Sequence, residues 1–143
     1  MKKLMNVLPL LLVAVLLFGT ACQGKKKEVE NVNVTLFDKD LPEIKTLANG
    51  DWELVSGKNA REFCEYENTF IKFADDQYVW TEDGKAEPGA LNWRKADTGA
   101  GYEAYLMDVF YETNPAYPVS VKGDTLILQD CSETGYKYTL VRK

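Results

Sequence analysis

The sequence contains no histidine. That removes the Ser-His-Asp triad and leaves a cysteine nucleophile without its usual base. Zinc sites built on histidine, or on paired cysteines, lack their ligands too. The chain has only three cysteines, and it has no surplus of positive charge: 17 Lys and Arg stand against 22 Asp and Glu, a net charge of −5. A chain this acidic has no electrostatic footprint for nucleic acid. Asp75-Asp76-Gln77 lacks the spacing of an EF-hand loop, and TGAGYE (Thr98 to Glu103) lacks the lysine and following helix of a phosphate loop. A hydrolase working with two separated carboxylates is the enzyme class left open. The expectation is a binding or structural protein without a cofactor or metal, rather than an enzyme.

Also missing is any apolar run of the ~20 residues that a membrane-spanning helix needs. The run that is present, Val7 to Phe18, follows Lys2 and Lys3 and precedes the small residues Gly19, Thr20 and Ala21. A charged start, a short apolar stretch and small residues form the pattern of a secretory signal peptide. This segment holds two lysines and no acid, so the remaining chain is more acidic still.

Gly19-Thr20-Ala21-Cys22 resembles the lipobox of bacterial lipoproteins, with Gly19 where a leucine is usual. The resemblance implies cleavage before Cys22, acylation of its sulfur (palmitate among the acyl chains) and of its new amino group, and attachment to a membrane. Two or more acyl chains hold a protein there stably. An ordinary signal peptide cut elsewhere is the alternative. Gln23 stands where an aspartate retains enterobacterial lipoproteins in the inner membrane, which implies the outer membrane of the cell envelope. Its periplasmic and exterior faces both remain open, and KKKEVE (Lys25 to Glu30) is compatible with surface export. Lys25, Lys26 and Lys27 either lie against anionic headgroups, at about 1 kcal/mol each, or begin a solvated tether.

Cys64 and Cys131 then form an even pair in an oxidising compartment, where a disulfide is expected. Closing the loop between them is worth roughly 4 kcal/mol in the chain-entropy model.

The expected organisation is a signal peptide over 1–21, a flexible tether over 22–48 and a folded domain over 49–143. VNVTLF (Val32 to Phe37) alternates well enough for a short strand inside the tether. The domain shows eight short alternating or β-branched runs: DWELVSG, NTFIKFA, QYVWTE, ALNWRKA, YEAYLMDVFY, YPVSVKG, DTLILQD and GYKYTLVRK. Turn residues such as Asp83-Gly84 and Gly123-Asp124 separate them, which indicates an all-β barrel or sandwich. A short helical turn carrying Cys64 is expected over 59–67.

Gly50-Asp51-Trp52 at the first strand and Arg142 at the end of the last resemble the lipocalin arrangement. This implies an eight-stranded antiparallel up-and-down barrel in which Trp52 plugs one end and Arg142 packs across it. Such a barrel is either filled by side chains or holds one small ligand. Trp80, Trp93, Tyr105 and Tyr138 are candidate lining residues for a small apolar or amphiphilic molecule, and equally candidates for plain packing. The strands Tyr102 to Tyr111 and Gly135 to Lys143 carry large apolar residues on both faces, so one face of each is covered or is an interaction patch. Two competing readings follow: a protein-interaction or inhibitor module with a filled barrel, and a META-like domain, which a break in simple strand order would favour.

Overall fold

A computed structural model describes residues 33–109, 115–132 and 134–143. The signal peptide, Cys22 and the first part of the tether lie outside the described residues, as do Phe110 and Tyr111.

The elements are β1 (Asn33–Thr35), α1 (Leu41–Ala48), β2 (Gly50–Lys58), β3 (Phe63–Glu65), β4 (Thr69–Ala74), β5 (Gln77–Glu82), β6 (Lys85–Ala90), β7 (Arg94–Asp97), β8 (Glu103–Leu106), β9 (Ala116–Lys122), β10 (Thr125–Asp130) and β11 (Lys137–Arg142). The fold is predominantly β and its ladders are antiparallel. Nine strands form one sheet in the order β1-β9-β10-β11-β2-β4-β5-β6, with β3 on the far half of β2. β7 and β8 form a separate hairpin, tied to the sheet by the bridge between Met107 and Ala116. Neighbours follow chain order from β2 through β4 and β5 to β6 and from β9 through β10 to β11, whereas β1 pairs with β9 out of order. The last strand returns to the first of this meander: Arg142 lies opposite Trp52 and Leu140 opposite Leu54.

The expected closed barrel is not found. Among the described residues no ladder joins β6 to β7. Pro88 supplies a physical reason. Leu91 N–H donates to the Asp76 carbonyl at 2.8 Å, and the register pairs Val79 with Pro88. Antiparallel pairs alternate between bonded and non-bonded, so Pro88 falls at a non-bonded position with its nitrogen facing away from β5. The outer edge of β6 therefore lacks a donor at its middle, where a further strand would bond.

Two other expectations are corrected. Residues 33–48 are folded rather than part of a flexible tether. Asp40 caps α1 by accepting from Glu43 N–H at 3.0 Å, Pro42 occupies the first turn, and Leu36, Ile44 and Ala48 are buried. An Asp-x-x-Glu start with a proline in the first turn is a helix-initiation signal. The segment 59–67 forms no helical turn; β3 lies there, pairing Cys64 with Gly57.

The core collects the inward positions of the long strands: Trp52 and Leu54, Ile71 and Phe73, Leu126 and Leu128, Tyr138 and Leu140, with Ile44 of α1 and Met107. A smaller cluster of Ala104, Leu106 and Tyr117 fixes the β8 hairpin against β9.

Candidate ligand groove

At one end of the meander, Trp52 is fully buried and its Nε1–H donates to the Ala48 carbonyl at 2.8 Å. The Arg142 guanidinium lies 4.2 Å from the Trp52 ring and donates to the carbonyls of Leu47 and Asn49. One side chain thus covers the indole and satisfies the last carbonyls of α1. Gly50 has φ +134°, and a Cβ there would overlap Arg142 Nη1. Asn49 reaches across to the β4–β5 turn, donating to Asp75 Oδ1 at 2.9 Å and accepting from Asp75 N–H at 2.8 Å.

The groove lies on the side where the sheet runs out. On β4 the inward residues Thr69, Ile71 and Phe73 are buried. Their cross-strand partners on β5 are Glu82, Trp80 and Tyr78, and the aromatic pair is half-buried. Beyond these, across to β6, come Lys85, Glu87 and Gly89. Inward positions thus pass from buried to exposed over three strands, because among the described residues no strand pairs with the outer edge of β6 to cover them.

The resulting hollow of about 430 Å³ is lined by Tyr78, Trp80, Glu82, Asp83, Lys85, Glu87, Pro88 and Val109. Gly89 leaves its inward side to the Tyr78 ring, since a Cβ there would overlap that ring. Asp83 (φ 49°) and Gly84 (φ 79°) both have positive φ, as a type I′ hairpin turn requires, and this turn brings the acidic end of β5 beside Lys85. Among the described residues, no ion pair engages Glu82, Asp83, Lys85 or Glu87. The rim is charged and the floor aromatic, a form suited to holding an apolar body with a polar head.

Of the four candidate lining residues, only Trp80 lines this groove. Trp93 donates its indole N–H to the Asp75 carbonyl at 3.0 Å and packs on the core. Tyr105 sits on β8 with Lys95 Nζ 5.8 Å from its ring. Tyr138 is a core residue whose hydroxyl donates to Asp130 Oδ2 at 3.2 Å. Sequence reasoning missed Tyr78, Val109 and the charged residues of β6. KAEPGA reads as loop by composition, although Asp83-Gly84 marks a two-residue hairpin whose second arm must be this segment.

The expected disulfide is absent: Cys64 and Cys131 are free thiols. Their partners differ. Cys131 Sγ–H donates to the Asp97 carbonyl at 3.2 Å, and burial first, then the Asp97 charge, pushes this thiol's pKa up. Cys64 neighbours Tyr136, whose hydroxyl donates to Glu62; that bond above all pushes the phenol up to about 12.

Comparison with known protein families, characterised proteins and solved structures finds no match to this chain.

Proposed function

We propose that this is a lipid-anchored protein of the bacterial cell envelope, acylated at Cys22, whose lipocalin-like domain binds a small amphiphilic molecule in the β5–β6 groove. The observation that carries this reading is the pair Tyr78 and Trp80, held on the inward face yet left half-buried beside a hollow of about 430 Å³. Supporting it are the sequential antiparallel runs β2-β4-β5-β6 and β9-β10-β11, the return of β11 to β2 and the Arg142–Trp52 contact at 4.2 Å. Strand order by itself does not separate this arrangement from a META-like one, because β1 beside β9 and the separate β7–β8 hairpin depart from simple up-and-down order. The seam between β6 and β7 gives the ligand a lateral entrance.

Native mass spectrometry of the gently purified mature chain tests the reading. The expected result is a small adduct, lost on denaturation, that dodecyl amphiphiles displace and that Trp80→Ala weakens about tenfold or more. A bare mass throughout such a titration, with unchanged tryptophan emission, would overturn it.

A second reading has one specific observation behind it. Phe63 is 63 % exposed on the short strand β3, the kind of residue that anchors a protein partner. An envelope interaction module would lose its partner on Phe63→Ser and keep it on Trp80→Ala.

A further inference from the structure

The charges around the groove select among amphiphiles. Glu87 lies directly opposite Trp80 across the β5–β6 ladder, and Glu82 lies two residues along on the same face. Facing neighbours in such a ladder are ~5 Å apart, and next positions along a strand ~7 Å. The indole is therefore flanked on its own face by two carboxylates, with Asp83 of the turn nearby. Lys85 is the one cation among the lining residues and pairs in register with Glu82 at the turn end, away from Tyr78. None of the four is engaged in an ion pair among the described residues.

We propose that the groove binds an amine with an apolar tail, an alkyl- or aryl-ammonium, rather than an anionic or neutral amphiphile. This rests on the reading of the groove as a ligand site. The ammonium sits against Trp80 between Glu82 and Glu87, where the ring face and both carboxylates attract it together. The tail lies along Tyr78, Pro88 and Val109. An anionic head in the same place meets three carboxylates and one lysine, and desolvating it beside like charge is unfavourable. The protein's net charge of −5 also favours the approach of cations.

The test uses the chain from residue 22 onward with Cys22→Ser, so that no acyl chain of its own competes. Dodecyltrimethylammonium, dodecanoate and dodecyl maltoside, all below their micelle concentrations, are titrated while Trp80 emission is followed against a Trp80→Phe control. The expected result is binding of the ammonium compound about tenfold or more tighter than the other two, weakening with added salt. Glu87→Gln and Glu82→Gln should each cost about threefold for the ammonium compound and leave the maltoside unchanged. Equal binding of all three probes, or preference for dodecanoate, overturns the cationic specificity and leaves the amphiphile reading standing. Binding of none overturns both.

Discussion

Gly50 does two jobs through the Cβ it lacks. Its φ of +134° is strained for any L side chain, and its open side admits the Arg142 guanidinium that covers Trp52. Gly50→Ala should cost about 2–4 kcal/mol in a urea titration, part of it backbone strain and part the displacement of Arg142 from the indole. Arg142→Ala alone should cost about 1–2 kcal/mol and shift tryptophan emission. Because Gly50→Ala already dislodges the guanidinium, the double variant should lose less than the sum, and strict additivity would sink this account. Asp130 offers a second residue-scale test. It is 6 % exposed, its Oδ2 accepts from Tyr136 N–H and Tyr138 O–H, and its Oδ1 has no partner among the described residues. Burial raises its pKa against those bonds. An acid raised in the folded state binds its proton more readily there than in the unfolded chain. It therefore lowers stability as pH rises from about 3.9 up through the folded pKa, and adds no further slope above it. Relative to wild type, Asp130→Asn should gain stability over that window and be at least as stable at pH 7. A difference between the two that does not change from pH 4 to pH 7 would refute the assignment.

At the scale of elements, the edge strand β6 decides where the sheet stops. Its register turns the Pro88 nitrogen toward the open seam, so a neighbouring strand finds no donor there. Pro88→Thr restores that donor. The expected outcome is edge-to-edge association, seen as earlier elution than wild type at equal concentration with the β circular dichroism retained. Unchanged elution would mean that the hairpin charges alone protect the edge. The same strand shows what was legible in the sequence and what was not. β2, β4, β5, β9, β10 and β11 were readable because their inward residues alternate with polar ones. β6 was not, since its inward positions are Lys85, Glu87 and Gly89, none of them a large apolar side chain and none buried. The groove was hidden for the same reason: the pattern that reveals a buried face disappears where a face is left open. In α1 the cap was written at Asp40 and Glu43, but eight residues bury only Ile44 and Ala48, too little periodicity to outweigh the charge around them. Gly50, Trp52 and Arg142 were legible because so few residue types can fill such an end cap.

Across the whole molecule, the pairing of β11 with β2 brings residues from the two ends of the meander into register, Arg142 with Trp52. Contacts so distant in sequence are costly to close in an unfolded chain, and a disulfide would have lowered that cost by roughly 4 kcal/mol. With both thiols free, the closure rests on the apolar interior instead, on Trp52, Leu54, Leu126, Leu128 and Leu140, all fully buried. A domain of this size buries enough surface to stand without a covalent staple. Reductant should therefore leave the urea midpoint of the Cys22→Ser mature chain unchanged. Replacing Cys64 and Cys131 together by serine should cost no more than about 1 kcal/mol, the ordinary scale for a half-buried substitution. Thiol titration of the folded protein should find both cysteines reactive. Cys131 should be the slower, because its raised pKa leaves less thiolate at pH 8 and its Sγ–H is held by the Asp97 carbonyl. A mature mass lighter by two hydrogens, together with a midpoint that falls steeply on reduction, would instead show that the chain is stapled and that the core alone does not hold its ends together.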